Sequence, residues 1–155
     1  MRYLLISLIA LWPAMVPAHD YRLGDLVIFH PMALETSPSA QAGAGYFSIT
    51  NNSERDDYLM AVTADFPQVT LHETVMKDDI AAMARRDRIT IPAGQTVTLE
   101  PGGMHVMFMG LRDRPFVAGN VFEATLKFAN AGDITVIFKI EERSEAATDI
   151  DHSGH

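Results

Sequence analysis

Residues Val69 to Met76 read V-T-L-H-E-T-V-M, and residues Met104 to Leu111 read M-H-V-M-F-M-G-L. Both stretches alternate with the period of two that belongs to an extended strand, whose successive side chains point to opposite faces. In the first, Val69, Leu71 and Val75 share one face, and Thr70, His72, Thr74 and Met76 the other. In the second, Met104, Val106 and Phe108 oppose His105, Met107, Met109 and Leu111. Each strand therefore offers an apolar face to a core and a second face carrying imidazole and thioether groups.

Outward from these two stretches the chain continues as short strands separated by turn chemistry, with no long segment of helical period. Leu26 to His30 is an apolar strand stopped by Pro31, and Gly45 to Thr50 ends at Asn51-Asn52-Ser53. Tyr58 to Thr63 precedes Asp65-Phe66-Pro67. Ile89 to Ile91 and Thr96 to Glu100 flank the turn Pro92-Ala93-Gly94-Gln95. Val121 to Phe128 and Ile134 to Ile140 form a hairpin around Ala129-Asn130-Ala131-Gly132-Asp133. Many short strands at this spacing predict an all-β, single-domain Greek-key sandwich.

The ends of the chain differ from its middle. Arg2, the apolar run Tyr3 to Trp12 and the small-residue end Val16-Pro17-Ala18 have the make-up of an export signal over residues 1–18, cleaved before His19. That run is shorter than the roughly 20 residues that span a bilayer, so no membrane span is expected. Residues 19–143 hold the strands, and 144–155 read as a polar, mobile tail. Loss of Arg2 takes the formal charge from −8 to −9. Such acidity argues against nucleic acid, whose phosphates call for a basic footprint. The sequence has no cysteine, which excludes a disulfide framework and the thiolate of a blue-copper centre.

Ten residues separate His72 from Met83, twenty-one separate Met83 from His105, and one separates His105 from Met107. Imidazole suits several transition metals, and thioether sulfur shifts the preference toward soft monovalent copper. On their strand His105 and Met107 share a face two rises apart, about 7 Å. Met83 depends on the turn after Met76. A two-residue loop at Lys77-Asp78 would set it directly opposite His72, and a three-residue loop would turn it to the other face. A single Met or His on a strand is usually packing or surface, and Met60, Met104 and His30 are assigned there. Met76 and Met109 form a sulfur-rich surround.

This pattern resembles the motif of the periplasmic copper chaperones called PCuAC. The opening H-D-Y-R-L-G-D-L from His19, the I-P-A-G turn from Ile91 to Gly94 and P-G-G-M-H-V-M-F-M-G-L from Pro101 to Leu111 are similar to that family as well. At His30-Pro31-Met32-Ala33 the chain departs from relatives that carry Trp after the proline. The resemblance implies a cupredoxin-like β-sandwich that is not an enzyme. It further implies Cu(I) held by His72, Met83, His105 and Met107 in the periplasm. Delivery would be toward the CuA domain of cytochrome c oxidase, alongside a thiol-disulfide assembly partner.

Two other readings remain open. His19, once amino-terminal, and His152 and His155 offer nitrogen donors for a second ion, Cu(II), although polar termini more often carry no such role. An amino-terminal His19 would also be the basis of a copper oxidase, and a sandwich that keeps its copper would be a storage or buffering protein.

Overall fold

A computed structural model describes residues 20–143; the stretch 1–18 read as an export signal, His19 and the tail with His152 and His155 lie outside them. Eleven strands follow in chain order: β1 (Tyr21–Leu23), β2 (Leu26–Leu34), β3 (Ala42–Asn51), β4 (Asp57–Ala64), β5 (Gln68–Lys77), β6 (Ile80–Arg86), β7 (Ile89–Ile91), β8 (Thr96–Leu99), β9 (Met104–Met109), β10 (Val121–Phe128) and β11 (Asp133–Glu141). The described residues contain no helix. The ladder runs β6-β5-β9-β3-β2-β11-β10-β4-β7, with β1 on β2 and β8 on β3.

Phenylalanine packing shows that this ladder bends over on itself into two layers. Strands β9 and β11 stand three steps apart, about 14 Å in a flat sheet. Yet the rings of Phe108 on β9 and Phe138 on β11 lie 5.6 Å apart, and Phe108 meets Phe122 of β10 at 5.0 Å. Inward-facing residues of β3, Phe47 and Ile49, join Leu126, Val136 and Ile140 from the opposite layer in one buried core. The all-β sandwich expected from the strand spacing is the fold.

Strand β2 makes the corner. Its pairing with β3 slips between Phe29 and Met32, and His30 there has φ of 49°. This bulge absorbs Pro31, which can give no ladder hydrogen bond and is tolerated at such irregularities. Before it β2 carries β1 on its other side; after it, Met32, Ala33 and Leu34 pair in parallel with Lys139, Ile140 and Glu141. Pro31 thus bends the strand without ending it, and β2 runs four residues further than its sequence indicated.

Two close approaches explain why β3 begins A-G-A-G. A Cβ on Gly45 would stand 2.8 Å from both Phe108 and Phe138, and one on Gly43 would stand 2.5 Å from Phe116. Only hydrogen at these positions lets the rings lie against the β3 backbone. Among the described residues, polar burial is confined to Asn51, Asp57, Thr70 and His105. Of these, Asp57 accepts hydrogen bonds from the backbone N–H groups of Tyr58, Asn130 and Ala131, which ties β4 to the β10–β11 turn.

Replacing Gly45 with Ala is expected to lower unfolding free energy by about 1–3 kcal/mol, the usual cost of overpacking a filled core. Urea denaturation would read this as a lower midpoint at unchanged slope.

Candidate functional site

The site grows from the β5–β9 ladder. Register pairs Thr70 with Met107, Leu71 with Val106, and His72 with His105. Residues paired across a ladder project to the same side, so burying Leu71, Val106 and Phe108 in the core sends Thr70, His72, His105 and Met107 to the other face. The two imidazoles meet there edge to face, ring centroids 5.8 Å apart at 74°. His105 and Met107 share this face as the alternation requires, with Met107 half-buried between Thr70 of β5 and Ala44 of β3.

Alternation ends at Gly110, whose φ is 79°. Leu111, expected on the imidazole face, is consequently buried in the core. Met76 and Met109 stay on the imidazole face and are exposed. Met104 packs against the core as expected, whereas Met60, assigned to packing, is 43% exposed, because the β4–β10 register shifts from Ala61 to Leu59 and leaves Met60 unpaired at a bulge.

Met83 occupies a third register, different from both that the sequence left open. The hairpin closes between Lys77 and Ile80, with Asp78 and Asp79 as its two-residue loop at φ of 52° and 62°. Both angles suit a type I′ turn, which demands positive φ at its two central residues and which aspartate tolerates better than most. Met83 therefore lies opposite Thr74, and His72 faces Arg85. Thr74 and His72 share a face, so Met83 keeps the correct side as a diagonal neighbour of His72, about 7–8 Å between backbones. Its side chain is 64% exposed on the outermost strand.

Hydrogen bonding prepares the imidazoles unequally. His105 Nδ1 lies 3.2 Å from the carbonyl oxygen of Gly103. A carbonyl only accepts, so Nδ1 bears the hydrogen and Nε2 keeps its lone pair. That Nε2 is buried without a partner, as are His72 Nδ1 and Thr70 Oγ1. A buried polar atom left unsatisfied costs about 1–3 kcal/mol. These three lie on one sheet face within two residues of the His72–His105 rung. The two nitrogens fit a soft metal ion, which an imidazole can bind only through a free lone pair. A backbone carbonyl fixing the distal nitrogen is also the arrangement found behind metal-bound histidines.

Electrostatics act in the same direction on His72, whose pKa lies below the ordinary histidine value of 6.5. Burial is the main cause, followed by His105 and Arg85. The neutral ring is the form that ligates. Arg86 forms an ion pair with Glu73 and leans away from the imidazoles. Neither Arg85 opposite His72 nor the Gly103 carbonyl was legible in the sequence. One depends on hairpin register and the other on backbone direction. Thr70 could have been noticed, since it stands two residues before His72 on the same strand face.

Comparison with known proteins follows the same outline. The copper-bound PCuAC domain from PmoF2 is similar in structure at a TM-score of 0.68 and 29% identity, covering 81% of this chain and 99% of that domain. The apo PCuAC domain from PmoF1 gives 0.69 at 26% identity, over 81% of this chain and 100% of that one. CuI-DR1885 from Deinococcus radiodurans gives 0.62 at 27%, over 83% and 85%. In sequence, the "Putative lipoprotein Lxx21020" of Leifsonia xyli subsp. xyli is 36% identical over 87 residues, 56% of this chain. The chain spans about half the length of that relative, 52%. Residues 26–140 match the family model described as "Putative lipoprotein LpqE-like". With that match running from the first residue of β2 almost to the end of β11, the chain belongs to the LpqE-like family.

Proposed function

We propose that this protein is an exported Cu(I) carrier that binds the ion through His72, His105, Met107 and Met83 and passes it to a copper-accepting partner. One observation carries the reading: two facing imidazoles, each with a buried, unpartnered ring nitrogen. Structural likeness to the copper-bound PCuAC domain from PmoF2 and to CuI-DR1885 supports it. The ligands divide by depth. His105 is buried and His72 and Met107 half-buried, while Met83 stands exposed on the outermost strand. Met83 is the ligand a partner can displace first, so the ion leaves by stepwise exchange while the imidazoles still hold it. Uncharged imidazole and thioether donors leave the ion its single positive charge, which a receiving site richer in donors can draw off.

Delivery to the CuA domain of cytochrome c oxidase, with a thiol-disulfide assembly partner, is the proposed destination, and it rests on the motif resemblance alone. The LpqE-like family and its lipoprotein relative support export. Among the described residues no helix is long and apolar enough to cross a membrane.

Titration of the mature protein with Cu(I) under reducing conditions is expected to show nitrogen and sulfur neighbours by X-ray absorption. His105→Ala is expected to lower affinity at least about 100-fold, beyond the loss typical of an outer-sphere change. Met107→Leu, which conserves volume, is expected to weaken binding with folding intact. Retained affinity in both variants would refute the ligand set. Mixing the loaded protein with an apo CuA domain then separates a carrier from a store, because a store keeps its copper.

Thr70→Val removes a buried hydroxyl that has no partner and is expected to stabilise the metal-free fold by about 1 kcal/mol, measured by thermal unfolding.

The depressed pKa of His72 sets a direction with pH. As pH falls through 6.5 the unfolded chain takes up its proton first, so the folded form loses stability until the lower folded value is passed. An NMR titration of the metal-free protein is expected to place the His72 midpoint below 6.5; a midpoint at or above it would contradict the structure.

A further inference from the structure

We infer that His30 and Met32 form a second, weaker perch for a soft monovalent cation, on the same sheet face as the His72–His105 pair. The inference rests on the copper-carrier reading for its cargo but on separate residues for its ligands. His30-Pro31-Met32 repeats the His-x-Met spacing of His105-Val106-Met107. Both residues line one open cavity of about 220 Å³, walled mainly by the apolar parts of Phe29, Tyr46, Leu99 and Pro101, with Ser48, Thr98 and Glu100 also on its lining. One imidazole and one thioether over largely apolar walls suit a soft, singly charged ion, because thioether sulfur shifts the preference of the pair toward soft metals.

Backbone geometry puts the pair in reach of the first site. Met32 pairs with Tyr46 of β3, and Ala44, two residues along β3 on the same face, pairs with Met107 of β9. Two strand spacings, about 10 Å, thus separate the β2 perch from β9. The bulge that makes the corner also serves the perch. At φ of 49° His30 leaves the ladder alternation, and its side chain is 70% exposed. Non-glycine residues held in the left-handed region are strained and are concentrated where geometry serves a function.

The imidazole is also oriented. His30 Nε2 stands 3.1 Å from Glu141 Oε1 of β11. That carboxylate favours a hydrogen on Nε2, which leaves the Nδ1 lone pair for a ligand, the outer-sphere pattern of a carboxylate behind a metal-bound histidine. With one nitrogen and one sulfur the perch is weaker than the main site, as suits an entry or exit station. An ion resting there needs only to cross Tyr46 and Ala44 to reach His105 and Met107.

Titration of the mature full-length chain with Ag(I), a redox-inert stand-in for Cu(I), tests this by NMR of methionine methyl groups and histidine rings. Wild-type protein is expected to bind a second equivalent at least about tenfold more weakly than the first, shifting the Met32 methyl and the His30 ring. His72→Ala/His105→Ala is expected to lose the first equivalent and keep those shifts. His30→Ala/Met32→Leu is expected to keep the first and lose the second. A Met32 methyl that does not move in wild type, or a second equivalent that survives in His30→Ala/Met32→Leu, overturns the perch while leaving the main site intact. A first equivalent that survives in His72→Ala/His105→Ala, with the Met32 methyl still responding, instead refutes the carrier reading and leaves the perch standing.

Discussion

The packing of Phe108 against Phe122 and Phe138 is the constraint on which the molecule turns. It folds the ladder into two layers, and it also decides which way β9 faces. Once Phe108 and Val106 are committed to the core, the period of two leaves His105 and Met107 no alternative but the other side. Slipping β9 by one residue would turn His105 and Met107 into the core and Phe108 out of it, so the hydrophobic core guards the register of these residues. Gly45 matters for the same reason, since a side chain there would push Phe108 and Phe138 apart.

The site is less satisfied than its surroundings. Asn51 and Asp57, the other buried polar side chains, are fully engaged: Asn51 donates to the carbonyls of Arg55 and Ile91, and Asp57 accepts from three backbone N–H groups. Thr70, His72 and His105 each keep a buried atom without a partner. Stability has been left undeveloped at one place on the sheet, where an arriving ion can supply the missing interactions. The proposed carrier role would gain from this arrangement, because the His72 and His105 nitrogens have no internal hydrogen bonds to break.

Geometry also grades the donors from inside to outside. His105 is anchored through Gly103 and buried, whereas Met83 sits on an edge strand with its thioether in solvent. The edge position of β6 follows from the Asp78-Asp79 turn, which projects the hairpin as the last strand of its layer. On the far side of β3, the bulge at His30 sets a second imidazole and thioether on the same face. Soft donors therefore extend across the sheet from β6 to β2, and movement of an ion over that face requires no opening of the core.

Sequence alone determined the strand content, the faces of β5 and β9, and the pairing of His105 with Met107, because a period of two is a local property of extended backbone. It also carried the resemblance that named the four candidate ligands. Long-range registers were decided only by the tertiary structure. That His72 faces His105 across β5 and β9 depends on strands separated by a hairpin and two further strands, and that Met83 lies opposite Thr74 depends on which two residues make the turn. The aspartates took the positive φ angles for which the sequence offered no glycine, setting the register two residues away from the Lys77-Asp78 alternative while keeping Met83 on the same face. Pro31 read as a strand end because its missing N–H breaks a regular ladder. Pairing on both sides of a bulge carried β2 through it, a compensation that exists only once the neighbouring strands are in place.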